Sequence, residues 1–141
     1  MVRVKIQLPE NFVFATDIPI RIGDMNRGMH LGHETYLVIA EEARSQFLKS
    51  LGYTAIDIKG ARLIMVDAAI IYNNQVHYGQ TLRVEIAVSE ISTRGFEMVY
   101  RISDNKTGIE SARMKTGFLT FDYKRQKTTT VPLDFRQKFS N

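Results

Sequence analysis

The chain contains no cysteine among its 141 residues. That excludes a disulfide framework, a thiolate metal site and a cysteine nucleophile, so any catalysis must use oxygen and nitrogen groups. Its first residues, Met1-Val2-Arg3-Val4-Lys5-Ile6, lack the continuous apolar centre of a signal peptide, and no apolar run approaches the roughly 20 residues that cross a bilayer. The expectation is a cytoplasmic protein that does not insert into membranes. Positive residues outnumber negative ones by four and the isoelectric point is near 9.4. Yet there is no basic block with interleaved aromatics, so nucleic acid is not expected as a partner, and a phosphorylated small molecule accounts for the charge as well. Internal repeats, linkers and low-complexity tracts are also missing. With 44% hydrophobic and 24% charged residues, one globular domain over 1–141 is expected.

What is present is concentrated in Asp24-Met25-Asn26-Arg27-Gly28-Met29-His30-Leu31-Gly32-His33-Glu34-Thr35-Tyr36. Ionisable and helix-starting residues lie here between an alternating strand pattern, Ile18 to Ile22, and an amphipathic segment. From Glu34 to Leu51 the apolar positions Tyr36, Ala40, Ala43, Phe47 and Leu51 recur at spacings of three and four, widened by Leu37 and Leu48. Gly52 follows where a left-handed terminating residue is expected. The motif is thus a strand-to-helix turn, whose free backbone N–H groups suit an anion or a developing oxyanion.

Beyond the helix the pattern changes to period two. Leu82, Val84, Ile86 and Val88 form one alternating run, and Phe96, Met98, Tyr100 and Ile102 the next. Turn residues at Ser92–Gly95 and Asp104–Gly108 join three strands into a meander ending near Phe121. Leu63 to Tyr72, apolar on both faces, is expected in the middle of the sheet under the helix. The tail from Lys124 reads as partly extended and poorly buried. One strand, one long helix and four further strands describe an α+β domain in which a curved antiparallel sheet wraps one central α-helix. One helix covers only one face, so a second copy is expected to close the other face or an edge.

This order resembles the hotdog-fold acyl-CoA thioesterases of the 4-hydroxybenzoyl-CoA thioesterase type over roughly Thr16 to Phe135. Arg21, Asp24, His30, His33, Tyr36 and Glu41-Glu42-Ala43-Arg44 fall at that family's spacings; so do Ile71-Tyr72 before Tyr78-Gly79, and Arg94-Gly95-Phe96. The resemblance implies hydrolysis of an acyl-CoA thioester, no cofactor apart from the CoA of the substrate, no metal, and active sites at the interface of a homodimer or homotetramer. In one place the chain departs from the family. The family's catalytic carboxylate is the second Asp of Asp-x-Asp, and here that position is Asn26, which can neither attack nor accept a proton at neutral pH.

The candidate catalytic residues are therefore Glu34 as base, Asn26 to orient water or donate to the thioester oxygen, and His30 and His33 to position the reacting groups. Backbone N–H groups near Leu31 to His33 would complete an oxyanion site. Each has a plain structural counterpart: Glu34 as a carboxylate bonded to free helix N–H groups, the histidines as hydrogen-bonding side chains, and Asp24 as a cap for N–H groups two or three residues on. His30 and His33 lack a third metal ligand at a recognisable spacing. Glu41 is a reserve nucleophile or else the partner of Arg44. By the resemblance, Arg94, Lys115 and Lys124, with Lys106 and Arg125, lie where CoA phosphates bind. Phe47, Met65 or Ile70 would bound the acyl chain. Rival functions are an acyl-CoA-binding hotdog without hydrolysis, carrier or sensor, and a hotdog 3-hydroxyacyl-thioester dehydratase.

Overall fold

In the computed structural model, which describes residues 1–140, the long amphipathic segment is helix α1, Thr35–Ser50. Tyr36, Ile39, Ala40, Ala43, Phe47 and Leu48 are buried and mark the face turned to the core. Gly52, at φ +87°, ends the helix. Its amide donates to Lys49 O and the next, Tyr53 N, to Leu48 O, both at 3.0 Å, the paired bonds of a Schellman stop.

Seven antiparallel strands curl against this helix: β1 Phe14–Pro19, β2 Asp57–Ile58, β3 Ala61–Tyr72, β4 Thr81–Ser89, β5 Gly95–Asp104, β6 Glu110–Asp122 and β7 Lys127–Thr128. The order across the sheet is β1-β4-β5-β6-β3-β2, with β7 paired to the end of β6. The expected meander is β4-β5-β6. Its inward residues, among them Val84, Ile86, Met98, Tyr100, Ile102 and Met114, are fully buried, and at about 1.5–3 kcal/mol for each large apolar side chain they dominate the favourable side of folding.

Three expectations need correction. The first strand is Phe14–Pro19 and not Ile18–Ile22. Pro19 has no N–H for the ladder, and Asp24 Oδ2 accepts from Arg21 N at 2.8 Å, which draws Ile22–Asp24 into a 3-10 turn. Asp24 therefore reaches back three residues rather than forward. β3 is not central: beyond its short pairing with β2, β6 is its one neighbour, and Met65, Val66, Asp67 and Ala68 are exposed. Its two-faced apolarity comes from an open edge and a bulge between Met65 and Asp67, not from burial on both faces. Finally, the tail is not poorly buried. A second helix, α2 Leu133–Phe139, brings Phe135 into the core with no exposed surface, 4.5 Å from the Phe96 ring and 4.9 Å from that of Phe139. No helix is long and apolar enough to cross a membrane among the described residues.

Candidate active site

The loop between the 3-10 turn and α1 is built by Asn26. Its Oδ1 accepts from Gly28 N at 2.9 Å and His30 N at 3.2 Å, while its own amide donates to His30 O at 2.9 Å. One side chain thus satisfies two amides of a tight turn that passes through Met29 at φ +63°. The loop is then tied down at its far end: Leu31 N donates to Val76 O at 2.8 Å and Gly32 N to Asp24 O at 3.3 Å. Leu31 and Gly32 are therefore spent as oxyanion donors. The next two amides, of His33 and Glu34, have no acceptor among the described residues, as expected at a helix start.

His33 borders a cleft of about 380 Å³ whose walls include Asn26, His30, Tyr36, Tyr72, Asn73 and Gln75, and Glu34 stands next to it without lining it. Tyr72 organises it. Its ring lies 5.0 Å from that of His33 and 5.1 Å, edge-on, from that of Tyr36, and its hydroxyl donates to His33 O at 3.1 Å. Burial and then the negative charge of Glu34 push the Tyr72 hydroxyl above its ordinary value. Burial, assisted by Tyr72, pushes Tyr36 up to about 12. Both phenols stay protonated at neutral pH and can donate.

Glu34 stands at the N-cap of α1 without making a side-chain cap bond. Its carboxylate folds over the backbone of Gly32, where a β-carbon would stand 2.7 Å from Oε1. It is not consumed by the helix end, and its charge is felt at Tyr72. Glu34 and His33 are thus brought together beside Tyr72.

The two histidines part company. His33 packs on Tyr72, whereas His30 packs edge-on against His77 with the ring centroids 5.9 Å apart, and His77 Nδ1 lies 3.3 Å from Met29 O. His77 has one signal in the sequence, that of being the third histidine, just before the Tyr78-Gly79 turn. Asn73 and Gln75 carry no signal there, because polar residues after a strand have no pattern of their own.

Other candidates lie elsewhere. Glu41 is exposed on α1 and forms no ion pair with Arg44. Arg44 turns under the helix instead, its guanidinium 5.0 Å above the Phe118 ring and its Nη1 donating to Tyr100 Oη at 3.3 Å. Arg94 donates to Thr128 O and Oγ1, both at 3.0 Å, and staples the β4–β5 turn to β7. Lys115 pairs with Glu97 at 3.5 Å, and Lys124 sits in the β6–β7 turn, its amide on Asp122 Oδ1 at 3.0 Å. None of these three lines the cleft. Nor does Phe47 bound an acyl channel, since it is core, against Phe14 and Phe139. Met65 and Ile70 do lie on the helix side of β3, opposite the buried Phe118 and Met114.

A curled antiparallel sheet around one long helix, with an uncommitted carboxylate at the start of that helix, defines a hotdog-fold protein of the thioesterase kind. Residues 20–139 match the model of the Thioesterase-like superfamily, and the chain belongs to that family. It is 29% identical over 126 residues to the "Putative acyl-CoA thioesterase YneP" of Bacillus subtilis (strain 168), covering 87% of each chain. Among solved structures it superposes on Slr0204, a 1,4-dihydroxy-2-naphthoyl-CoA thioesterase from Synechocystis, with a TM-score of 0.80 at 20% identity over 88% of this chain and 93% of that one. The gentisyl-coenzyme A thioesterase BH1999 gives 0.80 at 15% identity over 90% and 100%.

Proposed function

We propose that the protein hydrolyses an acyl-CoA thioester to a carboxylic acid and free CoA, with Glu34 as the general base. The observation that carries this reading is the Glu34 carboxylate itself: it makes no cap bond, rests over Gly32, and stands beside the two free amides of His33 and Glu34.

In this scheme the thioester carbonyl lies in the His33–Tyr72 cleft with its oxygen toward the two amides. Water held by Glu34 gives a proton to the carboxylate as its oxygen bonds to the carbonyl carbon. The negative charge that develops on the carbonyl oxygen is met by N–H donors already oriented. Collapse of the tetrahedral intermediate breaks the carbon–sulfur bond, and the proton taken by Glu34 passes to the departing sulfur. Tyr72 fixes the His33 carbonyl and with it the peptide plane that carries the Glu34 N–H. Asn26 supports the loop and has no proton to move. The acyl group extends between α1 and β3, past Ile70 and Met65.

A second copy completes the fold in this reading. β3 presents an unpaired backbone edge beside Met65 and Val66, 40% and 53% exposed, which is the kind of edge that proteins cover by pairing. Two-fold pairing along β3 makes a homodimer and places both clefts beside the interface.

The test is release of free thiol from short, medium, long and aromatic acyl-CoAs by the wild type and by Glu34→Gln. Loss of turnover by about a hundredfold or more in Glu34→Gln is expected, and a change within about twofold removes Glu34 from the mechanism. The second reading, acyl-CoA binding without hydrolysis, is favoured by Asn26, whose side-chain oxygen is wholly engaged in the loop. Saturable binding with no thiol released from any substrate would establish it.

A further inference from the structure

The residues before β1 form no regular element, yet they are not free of the sheet. Ile6 is buried, and Arg113 of β6 donates from Nη1 to Ile6 O at 3.2 Å. This pins the arm across the outer face, the one turned away from α1, and holds Arg3 and Lys5 next to Arg113. Together with Ile71 and Asn73 they line a depression of about 340 Å³.

Its position gives the depression meaning. Ile71 and Tyr72 point to opposite faces of β3, Ile71 into the depression and Tyr72 into the catalytic cleft, and Asn73, where the strand ends, lines both. The two hollows therefore meet around the end of β3. Their charges differ. Arg3 and Lys5 have no carboxylate partner among the described residues. Glu110 pairs with Arg113 at 2.8 Å and accepts from Asn73 Nδ2 at 2.6 Å, so it orients both side chains and offsets one of the three cations, while Lys5 also borders an adjoining hollow lined by Glu10, Glu90 and Glu97. Among the described residues, Arg3 and Lys5 remain without an ion pair in the depression that adjoins the cleft through Asn73.

We infer that Arg3, Lys5 and Arg113 form the binding site for the phosphates at the nucleotide end of CoA, reached around Asn73 by the pantetheine arm. This rests on the thioesterase reading of the neighbouring cleft. Coenzyme A carries a diphosphate and a 3′-phosphate, and guanidinium groups are the side chains best shaped to hold such oxygens. The assignment replaces Arg94, Lys115 and Lys124, none of which lines the depression or the cleft.

The test compares the wild type with Arg3→Ala/Lys5→Ala on one acyl group carried by CoA, by 4′-phosphopantetheine and by pantetheine. A second double variant, Lys49→Ala/Lys127→Ala, removes the same charge elsewhere. For Arg3→Ala/Lys5→Ala the KM of the CoA thioester should rise about tenfold with kcat within twofold, and the pantetheine thioester should be turned over as by the wild type. Equal effects on the CoA and pantetheine thioesters, no effect, or the same effect in the Lys49/Lys127 variant would overturn the assignment. An effect already complete with the 4′-phosphopantetheine thioester would overturn the nucleotide as its ligand. Binding of adenosine 3′,5′-bisphosphate, followed by calorimetry, decides the matter independently of turnover. Weakening of about tenfold in Arg3→Ala/Lys5→Ala upholds the site even if no thioester is hydrolysed, and undiminished binding, or none to the wild type, refutes it.

Discussion

The carboxylate of Glu34 occupies the space that a side chain on Gly32 would need: a β-carbon at residue 32 would stand 2.7 Å from Glu34 Oε1 and 3.1 Å from Thr35 Oγ1. Gly32 is not at a left-handed φ, so its backbone admits alanine. What an alanine there cannot coexist with is the present position of the carboxylate.

Gly32→Ala should therefore separate stability from activity. The obstructing atom is the free end of a flexible, exposed side chain, and swinging it aside costs the fold little. The thermal midpoint should stay within a few degrees of the wild type, while kcat for thioester hydrolysis falls by about tenfold or more as the proposed base leaves its place. Matched losses in both quantities would show that residue 32 matters for folding alone.

Asn26 predicts the reverse pattern in its two simplest variants. Asn26→Ala removes the acceptor for the amides of Gly28 and His30 and should lower stability by about 1 kcal/mol in urea unfolding. Asn26→Asp keeps an acceptor oxygen in the same place and should remain within about 0.5 kcal/mol of the wild type. If the loop is what Asn26 serves, thiol release in Asn26→Asp stays close to wild type; a large gain would mean that a carboxylate at residue 26 can itself take over the chemistry.

How legible was this in the sequence? The helix stop at Gly52 and the β4-β5-β6 meander could be read because each is a local pattern: a glycine after the last apolar turn, and alternation between turn residues. The place of β3 was not, since apolarity on both faces describes a strand buried on two sides and a strand with an open edge equally well. α2 was hidden for another reason. It has seven residues, too short for periodicity to speak, and its stability comes from Phe135 meeting Phe96 and Phe139. At the site, the grouping of His33 with Glu34 followed from adjacency. The bond from Tyr72 to His33, 39 residues apart, and the pairing of His30 with His77 depend on how β3 and its following loop pass the helix start, which no linear spacing encodes.

The docking of α2 carries a pH dependence. Tyr53 donates a hydrogen bond to Asp134, and Lys138 lies 3.1 Å from the same carboxylate. The Tyr53 bond first, then Lys138, holds the Asp134 carboxyl below its ordinary value. Burial first, then Asp134, raises the Tyr53 hydroxyl, so the phenol stays a donor. A carboxyl whose folded value is depressed adds stability above its unfolded value and loses it as pH falls through the folded one. Wild type should therefore be more stable than Tyr53→Phe at neutral pH, with the two thermal midpoints converging as pH drops below the ordinary carboxyl value of 3.8. A gap that stays constant across that range, or no gap at neutral pH, would show that the Tyr53 hydroxyl does not act through the charge of Asp134.

The open edge of β3 leads to the prediction with the largest expected effect. Val66 sits at the bulge, half exposed, and Asp67 beside it lays its carboxylate over Gly117 on the outer face. An apolar edge of this length in a protein with no covering element is stable in solution only if another strand pairs with it or charge repels one. Val66→Lys puts a cation on each side of the two-fold axis that β3 pairing would create, so like charges meet at the centre of the proposed interface. Its effect inside one copy is small, because the residue contributes little to the core. Sedimentation velocity at micromolar concentration should find wild type as a dimer or a multiple of one and Val66→Lys shifted to monomer, with the far-UV circular dichroism of the two superimposable. Thiol release should fall with the dimer and recover with it at higher protein concentration, since the proposed pairing places both clefts beside the interface. A wild-type monomer that hydrolyses thioesters at full rate would show instead that each chain holds a whole site and that the β3 edge serves neither assembly nor catalysis.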